Sequence, residues 1–389
     1  MRERATHTRK PRVAHVTTVD LSLRYLLLNQ LKRIQGEGYE VLGVSADGPD
    51  VPVVEAAGIH HFAVPMTRRI TPIADLRCLW KLFRIMRRER FDIVHTHTPK
   101  AGLLGQLAAR LAGVPVVANT LHGFYFHDDM KPWLRRFYIW MERVAAKCSD
   151  TILSQNREDM ATAVAERIAK PEQMKWLGNG IDVASFDRRR LPDTTLEDLR
   201  QEIRIESRAP VIGFVGRLVE EKGILDLLEA AKVVVRAIPN AQFLIVGPYD
   251  DDKPDALRPD VAERYGVAAN CRFVGMRHDM PELYALMDVL VLPSYREGFP
   301  RAPMEASAMG VPTLVTDIRG CREAVDHREN GLLFPVGDAD ALARSLLELL
   351  GDEGRRARMG AAGRRIAENR FDEQEVFDRV LSEYERLLP

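Results

Sequence analysis

Apolar residues run along this chain in short, unbroken blocks rather than in long stretches or strict alternation. In the first half the blocks are Arg12–Thr18, Glu40–Ala46, His60–Val64, Asp92–His97, Val114–Asn119, Thr151–Ser154 and Lys175–Leu177. In the second half they are Val211–Val215, Gln242–Val246, Arg272–Val274, Val289–Leu292, Thr313–Val315 and Leu332–Phe334. Blocks of this kind read as strands buried on both faces. Segments of helical periodicity separate most of them, so both halves are predicted to be α/β, with parallel, doubly wound sheets. The polar stretch Asp187–Pro210 interrupts the alternation and is the expected junction between domains spanning 1–186 and 187–370. Gly178 and Gly180, in GNGID, supply turn-forming positions just before it. The final segment, Asp372–Leu388, reads as an amphipathic helix.

Length agrees with two domains, since 389 residues exceed what one hydrophobic core ordinarily holds. No apolar run reaches the roughly 18 residues that a membrane span needs. The charged start, MRERATHTRKPR, enters the first strand directly, so no secretory leader is expected. Cys78, Cys148, Cys271 and Cys321 are far apart and form no CxxC pair, which suits reduced thiols and a cytoplasmic setting.

The formal net charge of zero hides an asymmetry. Residues 1–190 carry 30 Lys and Arg against 20 Asp and Glu, and the remainder reverses the excess with 26 against 36. A basic first half suggests an anionic surface as its partner. The helix after Pro72 sharpens that idea. Arg77, Lys81, Arg84 and Arg88 fall on one stripe, with Leu76, Leu79, Trp80, Phe83 and Met86 on the adjoining face. Lys131–Arg143 is a second aromatic and basic segment. Both fit the headgroup layer of an anionic membrane, and both fit equally a helix with its apolar side packed on a sheet. No nucleic-acid reading module accompanies the basic residues, so no nucleic-acid partner is expected.

The chemistry concentrates in two strand–loop–helix segments of the second half. In DVLVLPSYREGFPRAPMEASAMGVPTLVTD, Glu297 follows a buried strand beside Gly298, and Glu305 lies about a turn into the next helix. Ligands of parallel sheets bind outside the carboxyl ends of the strands, so both acids are predicted to face one crevice. Ionised carboxylates only accept hydrogen bonds, which suits the paired hydroxyls of a sugar or ribose. In VIGFVGRLVEEKG, Gly216 and Gly223 bracket a loop that carries Arg217 and Lys222 ahead of a helix N-terminus. That combination suits a diphosphate.

Taken together, Glu297-GFPRAPM-Glu305 with its flanking Pro293 and Ser294, the Gly216–Gly223 loop and the GNGID hinge resemble glycosyltransferase family 4, a retaining family with the GT-B fold. The segments LSLRYLLLNQL, HTHTPKAGLLGQLAARLAGVP and HGFYF resemble its bacterial capsule and lipid-linked oligosaccharide branch. The resemblance implies two Rossmann-like domains facing an interdomain cleft, with the terminal helix, 371–389, crossing back to the first. It implies transfer of a hexose or N-acetylhexosamine from a UDP-sugar to a polyprenyl-diphosphate-linked glycan, without a cofactor or metal.

The resemblance also assigns roles. Gly216, Arg217 and Lys222 would hold the diphosphate and steady the leaving nucleotide. Glu297, with Gly298, Phe299 and Pro300 around it, would hold the transferred sugar, and Glu305 the ribose. His122 would point at the sugar and the reacting face. Ser22 and Arg24 stand where many members of the family have a glycine-rich loop. With His97, Thr98 and Lys100 they are the acceptor candidates, although core or rim positions fit these residues as well. His95, His97 and His122 have a spacing that could suit zinc, but the resemblance needs no metal. Asp250–Asp252 and the Asp128–Asp129 pair are expected to be solvated loops. A UDP-sugar 2-epimerase of the same fold and a non-catalytic sugar-nucleotide-binding protein are the alternatives.

Overall fold

The computed structural model describes residues 9–127, 130–206, 208–249, 253 and 255–388. It divides into two compact units, Met1–Gly178 with Glu375–Pro389, and Asn179–Gln374.

The first unit holds seven strands: β1 (Arg12–Val16), β2 (Glu40–Ser45), β3 (His60–Ala63), β4 (Ile93–Thr96), β5 (Val116–Leu121), β6 (Thr151–Ser154) and β7 (Met174–Trp176). All neighbours are parallel, in the order β3-β2-β1-β4-β5-β6-β7. One face packs on Leu23, Leu31 and Ile34 together with Val376, Phe377, Val380 and Tyr384 of the terminal helix. The other packs on Leu82, Met86, Leu104 and Ala108. The second unit holds β8 (Val211–Val215), β9 (Gln242–Val246), β10 (Cys271–Gly275), β11 (Val289–Leu292), β12 (Thr313–Thr316) and β13 (Gly331–Phe334). Its sheet is parallel, in the order β10-β9-β8-β11-β12-β13.

Strand ends move where local chemistry demands it. β5 starts at Val116 and not Val114, because Pro115 has no N–H for the ladder. β1 stops at Val16, and Thr18 turns to receive the Thr98 side chain. The domain limits also need correction. The units part at Gly178 and Asn179, and again at Gln374 and Glu375, rather than at 186/187 and 370/371. The reason is packing: Ile181, Leu196 and Leu199 belong to the cores of the second unit, and Phe371 packs there too. The junction stretch is therefore part of a fold, with a helix at Asp193–Glu202.

The basic helix Pro72–Glu89 carries two apolar faces where one was expected. Cys78, Leu82, Ile85 and Met86 are buried against the sheet, and Leu79 and Phe83 pack at the margin of the same core. Ile73, Leu76 and Trp80 are left 74%, 67% and 58% exposed. All four cysteines are free thiols. No helix among the described residues is long and apolar enough to cross a membrane.

Candidate active site

In the second unit the strand order reverses between β8 and β11, so the loops leaving these neighbours open a crevice at the carboxyl edge of the sheet. The loop after β8 carries Gly216 and a partly exposed Arg217, then one tight turn at Glu220–Lys222 before the helix Ile224–Ala237. The loop after β11 carries Ser294 and Glu297 into the helix Arg301–Ala308. Lys222 Nζ lies 2.5 Å from Glu297 Oε1, and the Ser294 hydroxyl donates to the same oxygen at 2.7 Å. A cation and a carboxylate read separately from the sequence therefore meet at one point.

Gly223 makes this approach feasible. Its φ is +72°, and a Cβ there would fall 2.0 Å from the Pro293 carbonyl oxygen. Any side chain would push the helix N-terminus away from the loop that bears Glu297. Gly320 does the same on the other side, with a φ of +77° and no room for a Cβ beside the Gly298 carbonyl.

Glu305 accepts a hydrogen bond from the Tyr284 hydroxyl at 2.8 Å, and Arg301 Nε stands 3.7 Å from its other oxygen. Burial pushes the Glu305 carboxyl above its ordinary pKa, against the pull of Arg301 and Tyr284. Burial, reinforced by Glu305 itself, raises the Tyr284 phenol well above its usual value, so it stays a donor. Tyr284 was invisible to sequence reasoning, because nothing local marks a partner on another helix. Phe299 and Pro300 are buried. The Phe299 ring packs on Phe371, and its carbonyl accepts from Asn179 Nδ2 at 2.8 Å. Both residues shape the loop, leaving only their backbone to meet a ligand.

The first unit repeats the reversal between β1 and β4. There the Thr98 hydroxyl binds the Thr18 backbone N–H at 3.0 Å and the Thr18 hydroxyl at 2.7 Å. Ser22 is buried in the first helical turn. Arg24 is ion-paired to Asp50 at 2.6 Å, its guanidinium 4.7 Å from the centre of the Tyr25 ring. Lys100 is the clearest departure from an acceptor contact. Its ammonium binds Asp75 at 2.6 Å, the Thr67 and Thr71 hydroxyls and the Arg69 carbonyl, leaving the side chain 12% exposed. Lys100 ties the 67–71 segment to the fold.

The histidines are brought together, with one addition the sequence did not reveal. His15, His95 and His97 are fully or almost fully buried, with one ring nitrogen of each within 4.8 Å of one of each of the others. His122 follows β5, its Nε2 3.5 Å from His97 Nδ1. Burial holds all four below the ordinary histidine range, His15 at about 3 and His122 at about 4. The acidic tracts expected to be solvated loops, Asp128–Asp129 and Asp250–Asp252, lie outside the described residues.

Comparison with known proteins agrees with this architecture. Residues 24–180 match the family described as Glycosyl transferase 4-like domain, and residues 196–366 match Glycosyl transferases group 1. An Escherichia coli protein named UDP-Gal:alpha-D-GlcNAc-diphosphoundecaprenol alpha-1,3-galactosyltransferase is 31% identical over 90% of both chains. The Staphylococcus aureus capsular polysaccharide biosynthesis glycosyltransferase CapM is 29% identical over 97% of both. Anabaena HepE, solved in complex with UDP and glucose, superposes with a TM-score of 0.80 over 97% of this chain and all of its own, at 21% identity. That likeness speaks for the fold alone. Two Rossmann-like units, both signature segments and full-length relatives place the chain in glycosyltransferase family 4, on the branch that includes capsular and lipid-linked glycan enzymes.

Proposed function

We propose that this glycosyltransferase moves a hexose or N-acetylhexosamine from a UDP-sugar to a polyprenyl-diphosphate-linked glycan, with retention of configuration and without a metal. The observation that carries the proposal is the meeting of Lys222, Glu297 and Ser294 where the β8 and β11 loops adjoin. Fixed cations there can stabilise charge that develops on a departing nucleotide diphosphate. Glu305, held by Tyr284, is the ribose acceptor, and His122 keeps the sugar-facing role that the family resemblance implies. The UDP and lipid-linked substrates in the names of the related proteins support the choice of donor and acceptor.

A lipid-linked acceptor requires work at a membrane surface. The exposed Ile73, Leu76 and Trp80 lie among exposed Arg77, Lys81 and Arg84, and Trp133 and Trp140 are exposed on the helix Pro132–Ala146. Aromatic and aliphatic groups among cations suit an anionic headgroup layer. Trp80→Glu is expected to reduce binding to anionic vesicles, leaving turnover of a detergent-solubilised acceptor intact. Equal vesicle binding would remove this surface from the reading.

The decisive experiment is thermal unfolding against UDP-, GDP-, ADP- and dTDP-sugars, followed by transfer to a lipid-linked acceptor. Donor at a hundred times its Kd adds about 2.7 kcal/mol, a visible shift. A shift with one UDP-sugar, lost in Glu305→Ala, is the expected result, and the product's anomeric configuration tests retention. Arg217→Ala is expected to lower kcat by roughly 10²-fold. Conversion of the donor without an acceptor would point instead to an epimerase, and no shift with any nucleotide would overturn the donor site.

A further inference from the structure

The two loops that meet at Lys222 and Glu297 are joined a second time, one residue away. Arg296 directs Nε and Nη2 at a single oxygen of Glu221, Oε1, at 2.7 and 2.5 Å. The Tyr295 backbone N–H donates to the Glu221 carbonyl at 3.0 Å. Signs alternate on both sides of the junction, Glu221 then Lys222 on the β8 loop, and Arg296 then Glu297 on the β11 loop. Acid meets base in one pair and base meets acid in the next, and both pairs are partly buried. A slip of one residue would set Glu221 against Glu297, or Lys222 against Arg296. Like charges repel strongly where water is scarce, so this charge order admits one register.

The two pairs have different tasks. In the reading given above, Lys222 takes the donor diphosphate and Glu297 the hydroxyls of the transferred sugar. Each must then give up part of its attraction for the other, so that tie between the loops weakens as donor binds. Glu221 and Arg296 have no such second duty, and each is anchored by its own loop. The Glu221 backbone N–H lies 3.3 Å from an oxygen of Asp255, and the Glu220 N–H donates to the Asp255 carbonyl at 2.9 Å. On the other side the Thr316 hydroxyl, at the end of β12, donates to the Ser294 carbonyl at 2.6 Å. Burial pushes the Glu221 carboxyl up, but Arg296, Lys253 and Lys222 outweigh it and hold the group below its ordinary pKa. Glu221 is therefore charged at neutral pH, and the pair persists there.

We propose that Glu221 and Arg296 are positioning residues, whose ion pair keeps the β8 and β11 loops in register while Lys222 and Glu297 turn to the donor. The inference rests on the donor-site reading of Lys222 and Glu297. A direct contact between Arg296 and the diphosphate is the competing account, since a guanidinium suits phosphate oxygens. The two accounts differ in what Glu221 does. As half of a tie its loss equals the loss of Arg296, whereas beside a phosphate-binding Arg296 its loss frees a cation for the ligand.

The test compares full-length Glu221→Gln, Arg296→Gln, the double variant and Arg296→Lys in UDP binding and in sugar transfer. Each single glutamine variant is expected to lower kcat roughly 10-fold, the order of one charged hydrogen bond. UDP affinity should change much less, because charge on the diphosphate grows toward the transition state and misplaced cations are felt most there. Both substitutions break the same pair, so the double variant should be no worse than either single one. Both nitrogens of Arg296 serve one oxygen, so Arg296→Lys should recover most of the loss. Hydrogen exchange, read without donor, should quicken at 216–223 and 294–299 in both glutamine variants. Weaker UDP binding in Arg296→Gln but not in Glu221→Gln would make Arg296 a direct ligand and overturn the positioning role. Unchanged kcat in the single variants, or losses that add in the double one, would overturn it as well. A wild type that binds no nucleotide would overturn the donor reading, and the positioning role with it. That failure is recognisable because the other outcomes all start from an active wild type.

Discussion

A carboxylate proposed to grip hydroxyls has to remain charged in a place where burial favours the neutral acid. Glu305 is in that position, with burial pushing its pKa up and Arg301 and Tyr284 opposing the push. In the proposed ribose role the ionised form is the one that binds, so nucleotide affinity should fall as pH falls toward the raised pKa. Tyr284→Phe removes a donor to that anion, and the fall should then begin at higher pH, with affinity at neutral pH roughly 10-fold weaker. Titrating UDP binding from pH 8 to pH 5 in both proteins checks this, and identical profiles would remove Tyr284 from the site. The buried histidines act on stability instead. Their folded pKa values lie below the unfolded value of about 6.5, His122 at about 4 and His15 at about 3. The unfolded chain therefore takes up protons first, and stability present above pH 6.5 should be lost as pH falls toward 4. Denaturant midpoints that do not move across that window would contradict the neutral assignment. Glu297 and Glu305 stood out in the sequence because one nine-residue motif, Glu297-GFPRAPM-Glu305, holds both. Tyr284 and His15 were not, because each meets its partner only after distant elements have packed, and neither carries a local mark.

Among elements, the turn from β8 into its helix carries most of the site's precision. Gly223 serves at once as the left-handed residue before the helix and as the contact that lets Pro293 approach. Gly223→Ala should cost at least about 1–3 kcal/mol from the strained φ alone. The clash should also separate Lys222 from Glu297, so UDP-sugar affinity should drop with stability. A stable variant with normal donor binding would show that the two loops move independently. Buried parallel strands were readable in the chain because both faces are covered, which removes the polar alternation an exposed sheet would need. Element ends were less readable. The start of β5 depends on a missing proline N–H, and the end of β1 on a hydroxyl from Thr98. On the helix Pro72–Glu89, periodicity could not tell which apolar residues the sheet would cover, since Cys78 and Ile85 differ from Ile73 and Trp80 only in tertiary context.

At the scale of the molecule, the chain leaves its first unit at Gly178, completes the second, and returns at Glu375. Only the second unit is continuous in sequence. The returning helix is structural rather than ornamental: Val376, Phe377, Val380 and Tyr384 are buried over Leu23, Leu31, Ile34 and β1, β4 and β5. A fully buried apolar side chain of this kind contributes about 1.5–3 kcal/mol. Three or four of them match the net stability of a typical domain, about 5–15 kcal/mol. The first unit should therefore fail without residues supplied by the last fifteen, whereas the second should stand alone. Expressed separately, 179–374 should unfold cooperatively and keep its affinity for the nucleotide. Residues 1–178 should be expanded and aggregation-prone, and should recover a cooperative transition when 375–389 is joined to Gly178 through a flexible linker. Cooperative unfolding of 1–178 by itself, at the stability of the linked form, would mean that the terminal helix only covers a core already formed. The opposite result would make docking of the terminal helix a requirement for the first unit's core, because Val376, Phe377, Val380 and Tyr384 are made only after the strands they pack on.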